Sequence, residues 1–255
     1  MYMFSITTYP KEQNKEDNYD TFQEEQDLYF GTLIQNGQIL LSSCSTIFQD
    51  STYITYLLAP EQDSLDIKYA NKYVNERRLK LLSLCTREPE IKIIGKSSDY
   101  EETCNCESSS WYMLYSDYTV TESPVVCGDC GRTVPLYILP KILGEDEYHT
   151  VLGWQRAYNA CDDLFMKDIA ERVAYGRLSK PESDLSKMGR EICQAFESAT
   201  GKPFYYYMFR YYYNKKQQSC PLCGSDWRLD EGSKEFIDYR CENCRLVADV
   251  VNSKR

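Results

Sequence analysis

Residues 220–224 read Cys-Pro-Leu-Cys-Gly, and residues 241–244 read Cys-Glu-Asn-Cys. Each Cys-x-x-Cys turn can direct two thiolates at one metal ion, and Gly224 tolerates the positive φ that follows such a turn. The residues between the pairs alternate around the polar turn 230–233, which is typical of a β-hairpin. The spacing therefore predicts a C-terminal zinc ribbon, a closed structural site formed by Cys220, Cys223, Cys241 and Cys244.

A second cysteine quartet lies in the middle of the chain. Twenty residues with strand-like segments separate Cys104-Asn-Cys106 from Cys127-Gly-Asp-Cys130. The Cys-x-Cys half is less common, but it can still place two sulfurs on one metal ion. We therefore expect a second structural zinc ion at Cys104, Cys106, Cys127 and Cys130. The main alternative replaces one of the first two cysteines by His149, the chain's one histidine, which lies nineteen residues after Cys130.

The composition is that of an acidic globular protein. Its 255 residues carry a net charge of −10, and two four-thiolate zinc sites at −2 each bring the total to about −14. This charge weighs against a nucleic acid, whose phosphates need cations, and favours a partner with a basic surface. No membrane-spanning run and no signal peptide are visible, so we expect a cytoplasmic protein. Twelve cysteines in that reducing compartment indicate metal binding instead of disulfides.

The first hundred residues have the pattern of a small α+β domain. Three segments have the alternating or apolar pattern of strands, at residues 2–9, 53–59 and 90–94. Helical periodicity is weak over residues 22–34 and clearer over residues 71–85, and the polar stretch 11–20 is predicted to be a loop. We expect a small α/β sandwich in which helices cover one face of the sheet.

Two helices and an aromatic strand are predicted after the central quartet. Apolar residues recur at three- and four-residue intervals over residues 152–165 and 181–200. Ser179 and Glu182 suit a capping box for the second helix, and Gly201 suits its end. Residues 204–213 then hold eight aromatic side chains, which favours a strand.

These patterns predict an α+β fold in four parts. The predicted parts are a small N-terminal α/β sandwich (1–100), a central zinc-bound β hairpin (101–145), a helical segment that ends in the tyrosine-rich strand (146–216), and the C-terminal zinc ribbon (217–255).

The tyrosine-rich strand is also a candidate binding surface. Residues 202–216 carry a charge of +4 without a single acid. Nucleic-acid bases stack on aromatic rings at about 1–3 kcal/mol each, and basic neighbours can follow the phosphates. The favoured alternative is a buried central strand, and a third is a protein interface, where Tyr and Arg are enriched. The candidate binding residues are Tyr205, Tyr207, Arg210, Tyr211, Tyr213, Lys215 and Lys216.

Known catalytic motifs are absent from the sequence. It contains no Gly-rich phosphate loop, no Gly-x-Ser-x-Gly elbow and no His-Glu-x-x-His helix. A catalytic zinc ion keeps an open coordination position, whereas a four-cysteine site is closed. We therefore expect no enzymatic activity and no small-molecule substrate.

Several segments resemble a bacterial family of unknown function. The resemblance is carried by residues 177–189, Glu191-Ile-Cys193, Glu197, Thr200-Gly-Lys-Pro203, Tyr205-Tyr-Tyr207 and the ribbon motifs Cys220-Pro-Leu-Cys223-Gly, Trp227 and Cys241 to Leu246. That family is described as zinc-ribbon-containing and as a candidate nucleic-acid binder, and the match is clearest over residues 150–250. By position the resemblance implies the four ribbon cysteines as ligands, and it implies no catalytic residue.

The sequence as a whole favours macromolecular recognition. We expect a non-enzymatic protein with two structural zinc ions that binds a basic protein partner, for example as an immunity- or antitoxin-like protein that masks a basic toxin. The alternative is a nucleic-acid-binding regulator that uses the strip 202–216 and the zinc ribbon.

Overall fold

The computed structural model describes residues 1–11, 19–41, 43–212, 219–229 and 237–249. Most of the predicted loop 11–20 lies outside the described residues. So do three of the candidate binding residues, namely Tyr213, Lys215 and Lys216.

The first hundred residues form a four-stranded antiparallel sheet, called here the first sheet. The elements follow in the order β1 (Tyr2–Thr8), α1 (Tyr19–Gln35), β2 (Ser45–Gln49), β3 (Thr52–Ala59), α2 (Lys72–Ser83) and β4 (Glu90–Lys96). In space the strands are ordered β2-β3-β1-β4. Asp50 and Ser51 join β2 to β3 with positive φ at both residues, as tight hairpin turns require. The mixed α+β class is thereby confirmed.

The two helices cover one face of the first sheet. Alternate residues of β1 and β3 point to that face, among them Phe4 and Leu57, which are buried. They pack against apolar residues of both helices, namely Phe30, Leu33 and Val74. The Asn71 side chain caps α2 by accepting a hydrogen bond from the Val74 backbone N–H at 2.9 Å.

The rest of the described chain is built around a five-stranded sheet, called here the second sheet. Its elements are β5 (Tyr112–Leu114), β6 (Val125–Cys127), α3 (His149–Met166), α4 (Glu171–Ser179), α5 (Asp184–Thr200), β7 (Phe204–Tyr207), β8 (Tyr239–Cys241) and β9 (Leu246–Ala248). The spatial order is β6-β5-β7-β9-β8, with β5, β7 and β9 parallel and the two outer strands antiparallel. Strands from three of the predicted parts, 101–145, 146–216 and 217–255, are thus hydrogen-bonded into one sheet.

Helices α3 and α5 pack on one face of the second sheet. Trp154, Phe196, Phe204 and Tyr206 are fully buried between helices and strands. Helix α5 begins with Ser183 as its N-cap, which accepts from the Ser186 backbone N–H at 3.1 Å. The predicted capping box is therefore wrong, because its Ser179 is the last residue of α4. Gly201 ends α5 in the left-handed conformation, as expected.

Polar contacts join the helices of the first sheet to the segment that leads into α3. The Tyr148 backbone N–H donates to the Gln35 carbonyl at 2.9 Å, and the Lys141 ammonium donates to the Asn36 side chain at 2.8 Å. Lys72 also forms an ion pair with Asp146. Within the described residues, no helix has both the length and the apolar character needed to cross a membrane.

Candidate metal centres and an acidic cavity

The central cysteine quartet converges on one point, called here the first cluster. The sulfur atoms of Cys104, Cys106, Cys127 and Cys130 all lie within 4.8 Å of one another. Cys127 ends β6, and its backbone N–H donates to the Arg132 carbonyl at 2.9 Å, which closes the turn. Gly131 follows the turn with a φ of 73°. The Cys-x-Cys half and the Cys-x-x-Cys half therefore meet as the spacing predicts.

The C-terminal quartet forms the second cluster. Cys220, Cys223, Cys241 and Cys244 bring their sulfurs within 4.8 Å of one another, and those of Cys223 and Cys241 are 3.7 Å apart. Four sulfurs at about 2.3 Å from a tetrahedral metal ion are about 3.8 Å apart, so the residues fit such an ion. Each cluster holds four thiol ligands, and such sets bind zinc or iron. The clusters can therefore hold metal ions.

His149 does not take part in either cluster. It is the first residue of α3, and no group of potential metal ligands in the described chain includes it. Cys104 and Cys106 already complete the first cluster. The alternative with a histidine ligand is therefore not supported.

The turns that hold the cysteines share one backbone requirement. A residue with positive φ follows the second cysteine of each Cys-x-x-Cys pair, and it is Gly131, Gly224 or Arg245. Arg245 adopts this conformation at φ 50° although it has a side chain, which is strained. Its guanidinium is fixed by Glu197 at 2.9 Å and Glu242 at 3.0 Å. These ion pairs, together with the cluster, hold the last turn in place.

The clusters lie at opposite edges of the second sheet. The outer strands of that sheet are β6 and β8, and each ends in a cluster cysteine, Cys127 or Cys241. Ser225 lies 2.9 Å from the Cys223 sulfur, and this hydrogen bond is the main cause that lowers the pKa of the Cys223 thiol to about 6, which favours a thiolate ligand. A metal ion in each cluster would therefore hold both outer strands of the second sheet, β6 and β8, in place.

The tyrosine-rich segment is a short, buried central strand followed by a turn. β7 stops at Tyr207, and Tyr205 and Tyr207 are only 3% and 8% exposed. Their hydroxyls donate to Glu242 and Asp249. Bases cannot stack on rings buried in this way, which favours the buried-strand alternative for these two residues.

Arg210 and Tyr211, the remaining described residues of the candidate strip, differ in exposure. Arg210 is 5% exposed, and its guanidinium lies 4.4 Å from the ring centre of Tyr239 and 5.0 Å from that of Trp227. It therefore joins the segment after β7 to the ribbon. Tyr211 is 50% exposed. Of the described members of the strip, only Tyr211 is available to a partner.

A cavity of about 400 Å³ opens beside the first cluster. It lies on the face of the second sheet that is turned away from α3 and α5. Its apolar lining includes Met113, Val126 and Ile237, and its aromatic lining is Tyr115 and Tyr207. Gly131, Arg132 and Thr133, which directly follow Cys130, form one wall. The first cluster thus positions part of the cavity.

The charged groups of the cavity are mostly acidic. Four carboxylates line it, and the one cation among the described lining residues is Arg132; the carboxylates belong to Glu101, Glu102, Glu122 and Asp249. Glu102 is paired with Lys96 and lies 3.5 Å from Arg132, and the Lys96 contact lowers its pKa. Asp249 accepts from the Tyr207 hydroxyl. The arrangement combines an apolar floor, two phenol rings and an excess of negative charge, which suits an organic cation.

Sequence reasoning missed this cavity. Glu101 and Glu102 are adjacent, and such pairs are ordinary surface features. The lining comes from residues between 101 and 249, so only the folded sheet brings them together.

Comparisons with known protein families give no activity. A profile described as "Domain of unknown function (DUF2310)" matches residues 106–209, and two further domains of unknown function, DUF8589 and DUF8594, match residues 1–95 and 212–253. The predicted resemblance to an uncharacterised family is confirmed, while none of the three descriptions names a zinc ribbon.

Two relatives are uncharacterized proteins of Haemophilus influenzae. One is 31% identical over 202 residues, which are 76% of this chain and 76% of the relative. The other is 30% identical over 168 residues, which are 63% of this chain and 81% of that relative.

Solved structures that are similar to part of the chain include proteins titled antibiotic biosynthesis monooxygenases. One is 10% identical and covers 38% of this chain and 99% of its own, with a TM-score of 0.28; another, a putative one from Nitrosomonas europaea, is 11% identical and covers 38% and 98%, with a TM-score of 0.30. The expectation that the chain is not an enzyme is corrected by this finding, because enzymes are named among these structures. The similarity assigns no reaction to this chain.

Proposed function

We propose that this chain, which belongs to the same family as the two uncharacterized proteins of Haemophilus influenzae, binds a basic protein partner at the acidic cavity. The names of those relatives assign it no activity, so the proposal rests on geometry. The observation that supports this function is the charge of that cavity. Four carboxylates and one guanidinium line an apolar pocket of about 400 Å³. A lysine or arginine side chain combines an apolar stem with a cationic head, so it matches both parts of the lining.

The partner's cation would lie near the ring of Tyr115. This ring is partly exposed, and it meets the buried ring of Tyr207 edge to face with ring centres 4.9 Å apart. A phenol face attracts a cation, and a guanidinium also stacks on it. The Glu122 carboxylate accepts from the Thr121 backbone N–H at 3.0 Å, and within the described residues neither Glu122 nor Glu101 forms an ion pair, unlike Glu102, so both can pair with an incoming cation. An immunity- or antitoxin-like protein, which masks a basic toxin, is one form of this function.

We propose that both clusters hold zinc and that the ions are structural. Four thiolates fill a tetrahedral zinc ion, so no open position is left for a substrate. Native mass spectrometry of the purified chain should give two zinc ions per molecule. A single zinc ion would remove the first cluster from the proposal, and bound iron would replace zinc as the metal.

The cavity can be tested with two isosteric double variants. The first is Glu101→Gln with Glu122→Gln, in the cavity. The matched control is Glu182→Gln with Glu191→Gln, two acids of the α4–α5 region, which changes the net charge by the same amount. The probe is a fluorescently labelled arginine-rich peptide, and its binding is followed by fluorescence anisotropy at about 0.15 M salt.

We expect the cavity variant to weaken peptide binding about tenfold or more, equivalent to about 1.4 kcal/mol, and the control to change it less than twofold. Equal weakening by both variants would show that only the net charge attracts the peptide, and the cavity would be ruled out. A labelled single-stranded oligonucleotide in the same assay tests the nucleic-acid alternative. Salt-dependent binding of that oligonucleotide, lost on Lys215→Ala with Lys216→Ala, would favour the alternative.

A further inference from the structure

The face of the first sheet that is turned away from α1 and α2 is uncovered in the described chain. Strand pairing aligns three rows of side chains across it. Ile47 lies opposite Ile54, and Ile54 lies opposite Thr7. Ser45, Tyr56 and Ser5 form the second row, and Leu58 lies opposite Met3 in the third. None of these side chains belongs to a buried core cluster of the described residues.

The uncovered face combines apolar side chains with hydroxyl and amide side chains, and it carries no net charge. Ile47 is 44% exposed and Tyr56 is 38% exposed. Among the described residues, only two charged ones are placed on this face by their register, Glu90 and Lys92, which lie two positions apart on β4 and form an ion pair at 3.1 Å. A patch of this kind on a chain with a net charge of −10 differs from the rest of its surface.

We propose that this face binds a second copy of the same chain, so that two first sheets pack face to face in a homodimer. Charge distinguishes the two candidate partners of this face, a basic protein and a second copy of the chain. A basic protein gains no attraction from a face whose charges cancel. A second copy brings another neutral face, so the contact avoids the repulsion that two acidic chains have elsewhere. In a two-fold dimer the same patch serves both partners, so it must complement itself, and a patch without net charge meets that requirement.

The area of the face agrees with a dimer contact. Strands lie about 4.8 Å apart and rise about 3.3 Å per residue, so the four strands cover about 19 Å by 23 Å, roughly 440 Å² in projection. Two such faces give roughly 900 Å² of projected area. The accessible surface of protruding side chains is larger than their projection, which brings the contact near the lower end of specific interfaces, about 1,200 Å². Stacked sheets also pack about 10 Å apart through aliphatic side chains, which Ile47, Ile54 and Leu58 provide.

The test measures the mass of the chain in solution. Sedimentation velocity of the unaltered chain at micromolar concentrations should give twice the single-chain mass of 29.8 kDa. Ile47→Glu with Tyr56→Glu places two carboxylates in each face and should give the mass of one chain. The control is Ile67→Glu with Val173→Glu, two other exposed apolar residues, and it should keep the mass of two chains.

Several outcomes would overturn the dimer. If the unaltered chain keeps the mass of one chain throughout the micromolar range, the dimer is ruled out without any variant. A face variant that keeps the mass of two chains, or a control that also falls to the mass of one, would place the contact elsewhere. Circular dichroism must show that each variant is folded. The cavity variant Glu101→Gln with Glu122→Gln should keep the dimer mass, so the dimer and the proposed function can fail separately.

Discussion

The two sheets of the molecule differ in what stabilises them. The first sheet has strands of five to eight residues, whereas the second has strands of three or four. Strands of three residues form few ladder hydrogen bonds, so they need support from outside the ladder. In the second sheet that support is placed at the edges, where β6 and β8 each end in a cluster cysteine.

A sheet of short strands can be stabilised by metal sites, whereas a sheet of longer strands does not need them. The first sheet relies on an apolar core and on the pairing of long strands, and it leaves one face uncovered. The second sheet has buried side chains on both faces, and it carries the two clusters. We therefore expect the second sheet to depend on metal and the first sheet to be independent of it.

Metal removal should produce the largest difference in stability between the two sheets. Structural zinc sites contribute about 10–16 kcal/mol in apparent binding free energy, and that energy is folding energy. A chelator with a reductant should unfold the second sheet and leave β1 and β3 folded. The three tryptophans, Trp111, Trp154 and Trp227, all belong to the second sheet and its helices, so their fluorescence reports on that part alone.

Hydrogen exchange resolved by segment supplies the control for metal removal. Amides of β1 and β3 should keep their protection in the metal-free chain, and those of β6 and β8 should lose it. Simultaneous loss in all four strands would show that the two sheets unfold as one unit. Restored fluorescence after zinc is added back would separate metal loss from damage to the thiols.

The sequence was most informative where a local pattern decides the structure. Cysteine spacing predicted both clusters, because a turn of two or three residues fixes the direction of two sulfurs. The apolar spacing of residues 185–199 predicted α5 for a similar reason. Both signals span a few residues and need no knowledge of distant contacts.

Other features could not be predicted because they depend on distant residues. β2 was missed because all five of its residues are exposed. Its sequence therefore lacks the alternation of apolar and polar residues that indicates a half-buried strand. The aromatic run 204–213 predicted a long strand, but β7 ends at Tyr207, one residue after its last pairing with β5. The pairing of β5 with β7 joins residues about ninety positions apart, and the cavity has the same non-local origin.

A second prediction sharpens the comparison at two helix glycines. Gly189 in α5 lies against the second sheet, and a Cβ there would be 2.2 Å from the Tyr206 ring and 2.8 Å from the Trp154 Nε1. Both rings are fully buried and cannot move aside, so Gly189→Ala should reduce the free energy of unfolding by about 1–3 kcal/mol. Urea unfolding followed by tryptophan fluorescence measures this loss.

The matched control is Gly31→Ala in α1, beside the first sheet. No atom lies within 4 Å of a Cβ at Gly31, and alanine favours a helix over glycine by about 0.5–1 kcal/mol. This variant should therefore be slightly more stable, as measured by urea unfolding with circular dichroism. A loss at Gly31, or no loss at Gly189, would contradict the difference in packing between the two regions.

The smallest expected effect concerns an ion-pair group beside the first sheet. Glu25 in α1 is buried, and it accepts from Lys80 at 2.7 Å and Arg77 at 3.1 Å, both in α2. The hydrogen bond from Lys80 is the main cause that holds the Glu25 pKa below its ordinary value of 4.5. Glu25→Gln should therefore reduce the free energy of unfolding by about 1–2 kcal/mol at pH 7.

The pH dependence of that loss follows from the sign of the pKa shift. The unfolded chain binds the Glu25 proton more readily, so the ionised form stabilises the fold above pH 4.5 and this contribution is lost as the pH falls through the lower folded pKa. The difference between the unaltered chain and Glu25→Gln should thus shrink to zero in acid. Glu88→Gln is the control, because Glu88 is exposed 3.6 Å from Arg78 and its loss should not be measurable. A difference for Glu25→Gln that stays constant down to pH 2 would mean that packing, not the ion pair, joins α1 to α2.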